Sequence, residues 1–171
     1  MIFVAKKSLG QNFLNDNKVI KNIVELGKID RDDFILEVGA GTGNLTEIIL
    51  EQSPKKLYVI EKDQRLASYL NEKFGDKINI FNEDMMKFEY ERYYKDKLII
   101  FGNLPYNIST QILAKWIRVK NLDSFCKKFI LMFQKEVADR IIAETNTKNY
   151  GRLSILSNWK MKITKIIDID P

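Results

Sequence analysis

The chain has 171 residues, a net charge of +5, no histidine and a single cysteine, Cys126. That length suffices for one domain with a buried core, and 45% hydrophobic with 30% charged residues reads as a soluble globular protein. An internal disulfide, a His- or Cys-rich zinc site and every Ser-His or Cys-His nucleophile are excluded, so chemistry falls to amides, carboxylates, main-chain groups, aromatics or a cofactor, with no metal expected.

No apolar run approaches the roughly eighteen residues that cross a bilayer, so no membrane partner is expected. The apolar start Met1-Ile2-Phe3-Val4-Ala5 meets Lys6 and Lys7 too soon for a secretory core, and the expected location is the cytoplasm. Lysine excess favours an anionic partner. Lys6-Lys7, Lys127-Lys128 and the series Lys160, Lys162, Lys165 each read as solvated faces; together they move the balance modestly toward nucleic acid.

In chain order, residues 16–26 carry Val19, Ile20, Ile23, Val24 and Leu26 at helical spacing, with Gly27 as the stop. Residues 34–38 predict a buried strand that runs into a glycine cluster. A helix is expected over 42–51, a second strand over 57–60 and a helix over 64–74 with Leu66, Ala67 and Leu70 inward. Residues 78–81 and 98–101 predict the third and fourth strands, the latter stopped by Gly102. A helix over 109–118 buries Ile112, Leu113, Trp116 and Ile117; a fifth strand over 129–133 and helices over 135–143 and 153–159 follow. A last strand is expected over 163–169. This alternation predicts a doubly wound, mainly parallel α/β sheet in one domain, 1–171, with ligands beyond the carboxyl ends of the strands. The stop at Pro171 directly after a strand suggests truncation at that end.

Gly39-Ala40-Gly41-Thr42-Gly43-Asn44 follows the first strand and opens a helix. Glycines allow a tight turn and close approach of a ligand, and the helix start offers free N–H groups. A dinucleotide fingerprint wants glycine at position 44, where this chain has Asn; the form present suits S-adenosylmethionine, which has no pyrophosphate. Glu61, at the end of the second strand, is placed to accept from ribose hydroxyls of either cofactor, and Asp84, past the third, from an adenine amino group.

Asn103-Leu104-Pro105-Tyr106 stands at the carboxyl end of the fourth strand. An adenine N6 amino group is a poor nucleophile because its lone pair is delocalised. Two acceptors aimed at its hydrogens, the Asn103 side-chain oxygen and the Leu104 carbonyl, favour the pyramidal nitrogen of the transition state. Pro105 holds Leu104 extended, and Tyr106 offers a face for a stacked base. Methyl transfer from a sulfonium needs no strong base, so the lack of histidine is no obstacle. A plain strand-to-helix turn, with Asn107 or Ser109 as cap, is the competing reading.

With these residues the chain resembles the ribosomal RNA adenine dimethyltransferase family, KsgA type. The matching segments are Lys7-Ser8-Leu9-Gly10-Gln11-Asn12-Phe13-Leu14, Glu37 to Gly43, Glu61-Lys62-Asp63, Asn103 to Ser109, Gln134 to Ala138 and Tyr150 to Ser154, in the expected order. The resemblance implies a Rossmann-like class I methyltransferase fold lacking the family's last strand and C-terminal helical domain. It implies S-adenosyl-L-methionine bound by Asn12, Leu14, Gly39, Gly41, Glu61, Asp84 and Asn103, with Asn12 and Leu14 on an N-terminal segment folded over the cofactor. Asn103, Leu104 and Tyr106 are expected to carry the catalysis. The implied reaction is N6,N6-dimethylation of two adjacent adenines near the 3′ end of small-subunit (16S) ribosomal RNA during ribosome biogenesis, on the subunit or its precursor, with Arg152 against RNA phosphate. Large-subunit (23S) RNA methylation conferring antibiotic resistance and a non-catalytic RNA-binding assembly factor are the alternatives. A nicotinamide dehydrogenase is disfavoured by Asn44 and the absence of histidine.

Overall fold

Apolar runs that alternate with amphipathic helices have one economical solution, a parallel sheet with helices on both faces. The computed structural model, which describes residues 3–6, 9–89 and 97–169, adopts it. Met1, Ile2, Lys7, Ser8 and Pro171, named above, lie outside the described residues. Among the described residues five strands form, β1 (Phe34–Val38), β2 (Lys56–Ile60), β3 (Asn79–Phe81), β4 (Leu98–Asn103) and β5 (Cys126–Met132). Their order is β3-β2-β1-β4-β5 and every pairing is parallel. The winding reverses between β1 and β4, whose carboxyl ends lie side by side with Val38 opposite Gly102. That reversal opens a crevice there.

The period-two pattern of the strands divides the core in two. Ile35, Leu57, Val59, Ile99 and Phe101 pack with residues of α1 (Asn17–Glu25), α2 (Asn44–Glu51) and α3 (Gln64–Phe74) on one face. Leu36, Val38, Tyr58, Ile60, Leu98 and Ile100 pack on the other with α4 (Ser109–Ile117) and the single turn α5 (Leu122–Phe125). Two further helices, α6 (Lys135–Ile141) and α7 (Arg152–Lys160), lie beside α4 around Leu113, Ile117 and Ile141.

Helix α1 shows how local sequence sets an element. The Asp16 carboxylate accepts from the N–H groups of Lys18 and Val19, and Ile20, Ile23 and Val24 are buried beneath the helix. Asp16→Ala is expected to cost about 1 kcal/mol, since the free N–H groups lose their acceptor while the buried face is untouched. Thermal melting checks this; an unchanged midpoint would mean that solvent caps the helix equally well.

Three expectations need correction. No strand forms over 163–169: Ile163 joins the α4–α6 cluster by its side chain, while Ile166 and Ile167 stay exposed. Apolar β-branched residues make a strand only where a ladder partner accepts them, and none does here among the described residues. Strand β4 does not stop at Gly102 but runs through it to Asn103, paired with Leu131 and Met132 of β5. A β-carbon at 102 would meet Leu104 Cδ2 at 2.8 Å, so the glycine serves packing rather than termination. Strand β5 starts earlier than expected because its lysines are structural. Lys127 Nζ pairs with Asp33 at 2.8 Å, and Lys128 Nζ donates to the carbonyls of Leu26 and Gly27 at the end of α1. Lys160 Nζ likewise donates to the Val119 carbonyl, and Lys165 pairs with Asp168. Lys127, Lys128 and Lys160 thus bond to other parts of the fold, while the Lys165–Asp168 pair is local and partly exposed.

Candidate functional site

Beyond β1 the chain turns through Gly39, Gly41 and Gly43, all with positive φ. Gly43, at φ 81 before α2, leaves no room for a side chain: a β-carbon would stand 2.7 Å from Leu70 and Phe74 of α3. At Gly39 it would stand 3.2 Å from the Asn103 carbonyl across the crevice. The turn and the Asn103 segment are therefore packed against each other.

Two buried carboxyls support the turn from inside. Glu61 Oε2 accepts from the Gly41 N–H at 3.0 Å and Oε1 from the Asp63 N–H at 2.8 Å. It is only 6% exposed, and burial raises its pKa above the usual carboxylate range. Glu37, inside β1, accepts from the Thr46 hydroxyl at 2.7 Å, and burial pushes it up to about 7. Asp84 sits apart, past β3. Its Oδ2 pairs with Lys62 Nζ at 2.8 Å and its Oδ1 accepts from the Met86 N–H; the Lys62 ammonium holds its pKa below the usual value. The loop carrying Asp84 is tied to α4 by Lys115 Nζ, which donates to the carbonyls of Met85, Met86 and Phe88.

Residues 9–15 form a strap across these loops. Gln11 Nε2 donates to Asp63 Oδ2 at 3.3 Å, where Lys6 and Arg65 also converge; the Arg65 guanidinium above all holds the Asp63 carboxyl far below its ordinary range. A β-carbon on Gly41 would touch the Phe13 ring at 3.0 Å. The Asn12 carbonyl accepts from Asn103 Nδ2 at 2.7 Å, and the Asn12 side chain donates to the Tyr106 hydroxyl at 2.6 Å. Because a carbonyl can only accept, Asn103 must present Nδ2 to the strap, which leaves its Oδ1 as the available acceptor. Leu104 is buried, and Tyr106 is 38% exposed.

One cleft gathers Asn12, Leu14, Gly39, Gly41 and Asn103, together with Phe13, Glu37 and Asn44. Five of the expected residues thus meet. Glu61 reaches the cleft only through the Gly41 N–H, and Asp84 is not part of its lining. Sequence reasoning gave Glu37 and Lys115 no role and noted Asn44 only as a departure from a glycine pattern. A glutamate within an apolar strand was the available signal for Glu37; Lys115 bonds across the fold and leaves none. Glu37 is the cleft's one ionisable side chain among the described residues, and no lysine or arginine lines it. Such a lining offers no countercharge to a pyrophosphate. The described residues contain no cluster of three metal-ligating side chains and no helix long and apolar enough to cross a membrane.

The sheet order and the glycine turn define a Rossmann-like class I methyltransferase fold, the S-adenosylmethionine-binding fold of these enzymes. A dimethyladenosine transferase from Plasmodium falciparum superposes with a TM-score of 0.74 at 32% identity, over 85% of this chain and 51% of that one. The 23S rRNA methyltransferase ErmE superposes at 0.68 with 28% identity, over 85% and 55%. The family described as "Ribosomal RNA adenine dimethylase" matches residues 2–171, and the chain belongs to it. A curated relative, "Ribosomal RNA small subunit methyltransferase A" of Pelagibacter ubique strain HTCC1062, is 54% identical over 171 residues. The chain spans 65% of that relative's length.

Proposed function

We propose that the chain is the cofactor-binding and catalytic part of a cytoplasmic enzyme that dimethylates the N6 amino groups of adjacent adenines in ribosomal RNA of the small subunit or its precursor. Bound S-adenosylmethionine supplies an electrophilic methyl group on a sulfonium. Asn12, Leu14, Gly39, Gly41 and Asn103 hold it in the cleft; Glu61 acts at the ribose side, its two oxygens keeping unused lone pairs beside the N–H groups they already accept, and Asp84 at the adenine side. The Asn103 Oδ1 and the Leu104 carbonyl accept the two hydrogens of the target amine, favouring the pyramidal nitrogen as it attacks. Tyr106, with its hydroxyl held by Asn12, presents a ring to the flipped base. The proton leaves to water after transfer.

The observation that carries this reading is the Asn103 amide, turned by the Asn12 carbonyl so that its oxygen is the free acceptor beside the glycine turn. The small-subunit substrate draws its support from the Pelagibacter relative and from a 44% identical Wolbachia relative of the same name. The test incubates the full-length protein and methyl-labelled cofactor with immature small subunits and, separately, with large subunits. Label is expected in small-subunit RNA as N6,N6-dimethyladenine. Label confined to large-subunit RNA would overturn the substrate, and cofactor binding with no label in either would favour the assembly-factor reading.

A further inference from the structure

Asn44 stands where a dinucleotide site has its third glycine, and the methyltransferase reading gives it no part. It is the first residue of α2, directly after the glycine turn. Its Nδ2 donates to the Leu14 carbonyl at 2.8 Å and to Asn15 Oδ1 at 3.0 Å, so both amide hydrogens are directed at the strap. Residues 11–15 belong to no helix or strand, and side chains secure them at separated points: Gln11 on Asp63, Asn12 on Asn103 and Tyr106, Leu14 and Asn15 on Asn44. A segment held this way opens without unfolding the sheet, because no ladder has to break. Of these points Asn44 is the one that directly follows the glycine turn in sequence, and Phe13, lying over Gly41, is next to the residue it grips. Whatever rests against Gly39 and Gly41 lies under the strap.

We infer that Asn44 is a positioning residue: it clasps the strap over the glycine turn through Leu14 and Asn15, and so sets how long the cofactor stays bound. The inference rests on the reading of the cleft as an S-adenosylmethionine site. Alanine at 44 leaves the Leu14 carbonyl to water. Aspartate sets a carboxylate against two oxygens and opens the clasp further. Neither touches Leu45, Ile48 or Ile49, which anchor α2 in the core.

The experiment measures dissociation of S-adenosylhomocysteine from the 171-residue chain by stopped flow, together with amide exchange and melting of the ligand-free chain. Asn44→Ala is expected to raise the dissociation rate about tenfold, the scale of one to two lost hydrogen bonds, with Asn44→Asp at least equal. Exchange at residues 11–15 should accelerate in both variants, while the ligand-free midpoint moves by less than about 2 °C. Asn15→Ala should give a smaller increase that vanishes in the Asn44→Ala background, as expected for two ends of one bond. An unchanged dissociation rate in Asn44→Ala, or faster exchange throughout α2 with a matching fall in midpoint, would overturn the clasp. Failure of the unaltered chain to bind the ligand at all would overturn the cofactor reading beneath it.

Discussion

Asn103→Ala is expected to lower methyl transfer by about 10²–10³-fold, the loss typical of one acceptor or donor aimed at developing transition-state charge. Cofactor affinity should fall far less. The side chain contributes one hydrogen bond to the strap, from Nδ2 to the Asn12 carbonyl, and the strap keeps its attachments at Asp63, Tyr106 and Asn44. The net worth of one such bond is about 0.5–1.5 kcal/mol, or roughly a tenfold weakening at most. Turnover and affinity therefore separate, and single-turnover rates at saturating cofactor, set beside calorimetric affinities, measure the gap. Asn103→Asp tests the same logic from the other side. It retains an acceptor but removes the donor that the Asn12 carbonyl requires, so the strap contact is lost and the carboxylate swings from its place. Equal losses of rate and affinity in Asn103→Ala would mean that this side chain builds the pocket and has no special role in the transition state.

What could be read from the sequence follows from the range of the interactions involved. Helix α3 was readable over its whole length because its signal is local, Leu66, Ala67 and Leu70 recurring on one face. The same holds for β1 and for the glycine turn, where neighbours in sequence are neighbours in space. The strap was invisible to periodicity. Its bonds join residues far apart, Asn12 to Asn103 and Leu14 to Asn44, and nothing in the string Gln11-Asn12-Phe13-Leu14 encodes them; only the family resemblance placed that segment over the site. Lysine was misleading for a related reason. Lys115 and Lys128 look like solvent-facing charge in a sequence, yet the first satisfies loop carbonyls of Met85, Met86 and Phe88 and the second carbonyls at the end of α1. Residues 163–169 failed in the opposite way. Their composition favours a strand, but a strand is a property of a pair, and composition describes only one member.

Glu37 is expected to make folding stability fall as pH rises from about 5 to 7, the reverse of the usual behaviour of a paired carboxylate. The sign follows from the direction of its shift. In the unfolded chain the group titrates near 4.5, whereas burial within β1 raises it to about 7 in the folded state, opposed by the Thr46 hydroxyl and reinforced by the charge of Glu61. Between those values the folded protein holds a proton that the unfolded chain has released, so raising the pH favours unfolding until the folded state also ionises; above about 7 the effect is complete. The span corresponds to roughly 3 kcal/mol. Asp63 and Asp84 are shifted downward and act at lower pH, below this window; Glu61 is shifted in the same direction as Glu37 and adds a slope of its own. Glu37→Gln isolates the contribution. Its side-chain oxygen can still accept from Thr46, and whatever fixed cost the new amide carries is the same at every pH. Urea denaturation from pH 5 to 8 should therefore give a flatter curve for the variant, which gains a few kcal/mol on the parent protein between pH 5 and pH 8. Parallel curves would show that Glu37 ionises in the folded protein as readily as in the unfolded chain, and that β1 carries a charged carboxylate at the base of the cleft.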